Sequence, residues 1–169
     1  GWTMREDAGR GWRMVVASPK PKHICDVSLV EALASRNTVV IAGGGGGIPV
    51  VRDEHGLRRG VEAVIDKDLT TAHMANVLGV EEIMILTAVS RVATNFGEPN
   101  EQKLDIESLS EIQELMDAGH FPAGSMGPKI EAAISFIKIK ASSASTFAAA
   151  STSAKKEASI RGKKTLNCD

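Results

Sequence analysis

Tyrosine is absent from this chain, and aromatic residues make up only 4% of its 169 residues. Few rings are therefore present on which bases could stack. The formal net charge is -1, which removes any general attraction to polyanions, so nucleic-acid binding is not expected. No apolar run is long enough to cross a bilayer, and no membrane partner is expected either. Only two cysteines occur, Cys25 and Cys168, near opposite ends and without metal-ligand spacing. They read as free thiols of a reducing compartment, which excludes a zinc site and a disulfide framework. The opening GWTMREDAGRGW lacks both an initiator Met and a signal pattern, and it predicts that the chain is a piece of something longer.

What is present, 43% hydrophobic and 24% charged residues, suits one compact domain with a sizeable core. Asp26 to Ser35 places Val27, Val30, Leu33 and Ala34 at helical spacing, and Thr38 to Ala42 is a β-branched run too short for a helix and apolar on both faces. Val61 to Ile65 is a candidate second extended run. Asp66 or Asp68 can cap a helix through Leu78, with Gly79 as its stop. Ile83 to Thr87 reads as strand. After the loop NFGEPNEQK, Ser108 and Glu111 have capping-box spacing for a helix ending at Gly119. Pro128 is placed to start another helix, Lys129 to Lys138, with Ile130, Ala133, Ile134 and Ile137 on one apolar face. Trp2 and Trp12 read as packing residues. From Lys140 to Asp169 the chain is rich in Ala, Ser, Thr and Lys without a clear period, and reads as a mobile tail or a poorly ordered helix.

Strands separated by helices predict an α/β fold, a three-layer α/β/α sandwich with a mostly parallel sheet covered on both faces. Ligands of such sheets bind beyond the carboxyl ends of the strands. The motifs fall there: the run Gly43 to Gly47 follows one strand, Asp66-Lys67-Asp68 a second and Thr87-Ala88-Val89 a third, while GHFPAGSMGPK leads into a helix start.

By default an uninterrupted glycine run is a floppy linker. This one is held between Thr38-Val39-Val40-Ile41 and Ile48-Pro49-Val50-Val51, both of which read as buried apolar structure, so a turn where a ligand meets bare backbone is the better reading. A P-loop is excluded because Gly47 is followed by Ile48-Pro49 rather than Lys-Ser/Thr, and the dinucleotide fingerprint fails because Ile48 stands where its third Gly is required. A backbone-amide cradle for an anion remains, with cations supplied by Lys67 and Lys129 at or just before the first turns of helices.

The segments EDAGRGWRMVVASPKP, IAGGGGGIPVV, GVEAVIDKD, ILTAV, NFGEPN and GHFPAGSMGPKIEAAI, in this order, closely resemble the C-terminal part of carbamate kinases, members of the amino acid kinase fold. The likeness runs from about Gly1 to Phe136. It implies a cytoplasmic, dimeric enzyme of arginine fermentation that interconverts ATP plus carbamate with ADP plus carbamoyl phosphate, using Mg2+ carried by the nucleotide. It also implies that residues 1–25 close a preceding lobe, that 26–139 form the nucleotide-binding part, and that 140–169 are a divergent tail. On the family's pattern Lys129 stabilises the transferring phosphoryl oxygens, Lys67 holds nucleotide phosphates, and Asp68 orients the lysines or binds magnesium. Amides of Gly43, Gly44, Gly45 and Gly46 line the phosphoryl path, and Thr87, Ala88, Val89, Gly124, Ser125 and Met126 lie near the nucleotide. The bland alternatives are a cap plus a solvated charge for a Lys-Asp pair at a helix start, and core filling for Met126. The family's N-terminal half, with its own glycine motif, a catalytic Lys and most of the carbamate pocket, has no counterpart here, so the expectation is a truncated fold that is inactive alone.

Overall fold

The computed structural model describes residues 2–6, 11–148 and 159–161. The chain forms two compact units, Gly1–Thr71 and Ala72–Asp169.

The first unit opens with an antiparallel ribbon of β1 (Met4–Glu6) and β2 (Trp12–Met14), in which Met4 faces Met14 and Glu6 faces Trp12. Trp2 and Trp12 are 83% and 69% exposed, so neither is the packing residue that its size suggested. Helix α1 (Val27–Ala34) falls where the apolar spacing placed it, and it turns half-buried Val27 and Val30 inward. A second antiparallel ribbon, β3 (Val50–Arg52) with β4 (Arg58–Gly60), follows the glycine run. Its turn is built by Asp53, whose carboxylate accepts the amides of His55 and Leu57 and the Arg59 Nε–H at 2.9 Å. The Arg59 guanidinium and those two amides hold the Asp53 carboxyl below its usual range. Helix α2 (Lys67–Val77) ends at Gly79, φ 66°, where Val80 N–H donates to the Ala75 carbonyl and Gly79 N–H to that of Asn76. That is the doubled bond of a glycine-terminated helix.

In the second unit β5 (Ala93–Thr94) pairs with β6 (Gln102–Lys103) around the NFGEPN turn, and β7 (Ile106–Ser108) pairs with β8 (Ser159–Arg161). Helix α3 (Leu109–Asp117) has the expected capping box: the Glu111 N–H donates to Ser108 Oγ, and the Ser108 N–H donates to Glu111 Oε2 at 2.8 Å. It ends at Gly119, φ 78°. Helix α4 (Met126–Ala148) begins two residues before Pro128. The proline thus sits in the first turn, where its missing N–H costs no bond. Ile112, Phe121, Ile130 and Ile134 form the core of this unit, with Val92, Leu104, Leu109, Leu115, Met116 and Met126 packed against them. Lys138 Nζ donates to Gln113 Oε1 at 2.7 Å, which ties α4 to α3 on the rim of this core. Helix α4 passes Lys140 and Ser159–Arg161 pairs with β7, so part of the segment read as a mobile tail or a poorly ordered helix forms helix and strand; 149–158 and 162–169 lie outside the described residues.

Among the described residues every ladder is a two-stranded antiparallel pair, and the parallel sheet is represented by one bridge, Ala17 to Ala63, with Val64 N–H donating to the Ala17 carbonyl at 2.9 Å. Thr38–Ala42 and Ile83–Thr87 carry no ladder. Val39 and Ile41 are 92% and 97% exposed, whereas half-buried Ile83, Ile85 and Thr87 alternate with exposed Met84 and Leu86 in the period of a strand. The difference from expectation is one of range. Three of the four ladders join segments only a few residues apart in sequence, while a parallel ladder must recruit segments separated by a helix and bear the larger loop-closure entropy.

The capping box gives a test of α3. Ser108→Ala is expected to destabilise the chain by about 1 kcal/mol in chemical denaturation. The Ser108 hydroxyl, and then its backbone N–H, hold the Glu111 carboxyl below its usual value. A folded pKa below the unfolded one means that this stabilisation is complete above the unfolded pKa and is lost as pH falls through the folded one. The stability gap between the chain and Glu111→Gln should therefore be present at neutral pH and close in acid; a gap that persists at low pH would contradict it.

Candidate phosphate-binding site

In the first unit the glycine run is a held loop rather than a linker. Gly43, Gly44, Gly46 and Gly47 have φ of 78, 49, 126 and 91°, a region that residues with a Cβ rarely enter. The Gly46 N–H closes a turn onto the Gly43 carbonyl at 2.9 Å. Gly46 is buried against the residues before α2: a Cβ there would stand 1.9 Å from the Ile65 carbonyl oxygen. From the other side the Thr70 hydroxyl, itself buried, donates to the Gly46 carbonyl at 2.8 Å.

The start of α2 lies beside this loop. Asp66, not Asp68, is its cap, accepting the N–H groups of Asp68 (2.8 Å) and Leu69 (3.1 Å) on Oδ1. Two of the amides that make a helix start attractive to an anion are thus taken by the chain's own carboxylate. The side chain of Lys67, exposed and without a hydrogen bond or ion pair among the described residues, leaves the chain at this helix start, next to the Ile65–Asp66 peptide on which the loop packs. Asp68 is buried at 8% exposure. The glycine loop thus packs on the stretch of chain that carries Lys67 and Asp68.

The remaining candidates lie in the second unit. The Thr87 hydroxyl donates to the Val89 carbonyl at 2.9 Å, a local turn that includes Ala88. Gly124 and Ser125 form the turn before α4, where the N–H groups of Ser125 and Gly127 converge on the Pro122 carbonyl at 3.2 and 2.9 Å. A Cβ on Gly127 would lie 3.0 Å from that oxygen, a tight contact but well short of the overlap that a Cβ at Gly46 would make. Met126 packs on the core, in line with the plainer of its two readings, and Lys129 is half-buried in the first turn of α4. Sequence reasoning passed over Thr70; its pattern carries no signal, because the bond that gives it a role reaches back 24 residues. Cys25 is a free thiol, and among the described residues no three His, Cys, Asp or Glu side chains converge on a metal position. No helix among them is long and apolar enough to cross a membrane.

Comparison with known proteins follows the same motifs. The amino acid kinase family pattern matches residues 6–144. The carbamate kinase-like protein YqeA of Escherichia coli is 52% identical over 141 residues, covering 83% of this chain and 45% of its own length. The carbamate kinase of Thermococcus kodakarensis is 47% identical over 138 residues, covering 82% of this chain and 44% of its own length. Among solved structures, the carbamate kinase of Giardia lamblia bound to AMP-PNP superposes with a TM-score of 0.75 at 48% identity, over 82% of this chain and 44% of that one. The chain thus spans less than half the length of these relatives. The match across 6–144 and the superposed fold place it in one group: the chain belongs to the amino acid kinase family.

Proposed function

We propose that this chain is the nucleotide-binding portion of a carbamate kinase, a cytoplasmic homodimer when complete, which transfers a phosphoryl group between ATP and carbamate. The observation that carries the reading is the buried packing of Gly46 on the start of α2, which fixes bare backbone beside Lys67 and Asp68. The AMP-PNP complex of the Giardia relative supports a nucleotide as the ligand.

A carbamate oxygen is anionic at neutral pH, so its attack on a γ-phosphate needs no general base. The obstacle is to bring two anions together and to spread charge over the transferring group. Amides of Gly43, Gly44 and Gly45, together with the Lys67 ammonium, would receive nucleotide phosphates, the Gly46 N–H being held by the Gly43 carbonyl. Lys129 would meet the charge that develops on the phosphoryl oxygens. Thr87 to Val89 and Gly124 to Met126 would bound the nucleoside. Magnesium arriving with the nucleotide needs only one or two protein carboxylates, and Asp68 suits that role, since no protein cage exists among the described residues. The ion would neutralise phosphate charge.

A second reading is a nucleotide-binding or dimerising module without turnover. It is favoured by the name of one relative, which is carbamate kinase-like rather than carbamate kinase.

Three outcomes are expected. The purified chain alone should form no measurable ATP from carbamoyl phosphate and ADP in a coupled assay, and turnover near that of a complete carbamate kinase would defeat this. It should bind ADP weakly and with magnesium dependence in calorimetry, and Lys67→Ala should weaken that binding by roughly tenfold or more; equal binding would remove Lys67 from the site. In a complete carbamate kinase, alanine at the lysine matching Lys129 should cut turnover by about 10²-fold or more with a smaller effect on nucleotide affinity. Intact turnover would return that lysine to a solvated helix-start charge.

A further inference from the structure

One buried polar group in the first unit is not used by the mechanism above. Thr70 is 4% exposed, and its hydroxyl reaches out of α2 to the Gly46 carbonyl at 2.8 Å. The next residue, Thr71, shows what a helical threonine does by default: its hydroxyl donates at 2.8 Å to the Lys67 carbonyl one turn back. Thr70 gives up that option for a backbone oxygen 24 residues away.

The consequence lies on the far side of the peptide. The Gly46–Gly47 bond is trans, so its C=O and N–H point in opposite directions. With the carbonyl drawn to Thr70, the Gly47 N–H is turned away from α2. Gly47 is exposed, and this N–H makes no hydrogen bond among the described residues. Flanked by glycines with φ of 126 and 91°, the peptide has no side chain to resist rotation, so the hydroxyl is the group that selects its orientation.

We propose that Thr70 is a positioning residue: by holding the Gly46 carbonyl it presents the Gly47 N–H as a donor to a phosphate oxygen of the bound nucleotide. The proposal rests on the phosphate-cradle reading and names one more donor and the group that aims it. A preoriented amide needs no reorganisation when the anion arrives, which is how backbone donors act most strongly. Without the hydroxyl, the Gly46 carbonyl seeks another partner and the peptide rotates among several orientations. The binding-competent fraction then falls, and the apparent affinity falls with it.

The test uses the whole chain, labelled with 15N, titrated with ADP and magnesium, in four forms: unsubstituted, Thr70→Val, Thr70→Ser and Thr71→Val. Thr70→Val keeps the shape and removes the hydroxyl, Thr70→Ser restores it, and Thr71→Val removes a hydroxyl from the same helix without touching the loop. Where valine prevents folding, Thr70→Ala is read in its place. The unsubstituted chain should show the Gly47 amide moving on addition of ADP. Thr70→Val should shift the Gly46 and Gly47 amides in the free protein and lower ADP affinity about tenfold, the scale of one hydrogen bond. Thr70→Ser should recover affinity to within about twofold, and Thr71→Val should bind as the unsubstituted chain does. Thr70→Val binding as tightly as the unsubstituted chain overturns the proposal and leaves the nucleotide reading standing. Equal losses in Thr70→Val and Thr71→Val also overturn it, because they mark a general weakening of α2. Should the unsubstituted chain bind no ADP, the nucleotide reading and the donor role both fail, and unmoved Gly46 and Gly47 amides in free Thr70→Val would overturn the orienting role as well.

Discussion

The contact on which the first unit depends is the approach of Gly46 to the peptide between Ile65 and Asp66. A Cβ at position 46 would fall 1.9 Å from the Ile65 carbonyl oxygen and 2.7 Å from its carbon, separations that no side chain relieves by rotating, since both atoms are backbone. Only glycine lets the loop lie on the chain that leads into α2. Position 46 also carries φ of 126°, so sterics and backbone conformation demand the same residue independently. Once the loop is seated, the start of α2 cannot shift without breaking the Thr70 bond, and the backbone from which Lys67 and Asp68 project is set relative to the glycines.

The helix start itself is arranged differently from a simple anion site. Asp66 fills two amide positions with its own carboxylate. A phosphate meeting this end of α2 would encounter the Asp66 carboxylate, with Asp68 in the same turn, and both weaken the pull of the helix dipole. The burden of attraction then passes to the Lys67 ammonium and to loop amides that nothing else satisfies. On the proposed function this gives the glycine loop its part: with the helix end capped, donors for an anion would come from elsewhere in the backbone.

What was legible in the sequence follows the range of the interaction responsible. Ser108 with Glu111, and the stops at Gly79 and Gly119, were readable because each is decided within a few residues. The apolar face of α4 was readable for the same reason, and Ile130, Ile134 and Ile137 are buried. Its ends were not: the helix starts before Pro128 and runs on to Ala148. Asp66 and Asp68 were equivalent as caps in the sequence, and only the geometry separates them. The ribbon from Val50 to Gly60 was missed although Asp53 to Gly56 is turn-forming sequence, because its apolar flank was read as buried structure. Thr38–Ala42 and Ile83–Thr87 have the composition of central strands, but a ladder is a property of two segments, and composition describes one. Trp2 and Trp12, read as packing residues, are exposed, since a two-stranded ribbon offers a large side chain no second layer to enter.

The two lysines proposed for the site stand in different surroundings, and this bears on how the work of phosphoryl transfer divides between them. Lys67 is exposed and Lys129 half-buried, each in the first turn of its helix. An exposed ammonium acts through water and salt, so its attraction for a phosphate is screened and nearly the same for ground state and transition state. A charge partly withdrawn from water acts through a lower effective dielectric, and its interaction energy changes more steeply as charge redistributes on a nearby oxygen. Uniform attraction favours binding, and differential attraction favours rate. On the proposed function, the same residue type in two degrees of burial would suit two roles, Lys67 holding phosphates that do not react and Lys129 answering to the one that does. Lysine fits both, because a compact ammonium on a flexible stem follows an oxygen whose position changes during transfer, where a planar guanidinium would favour one fixed geometry.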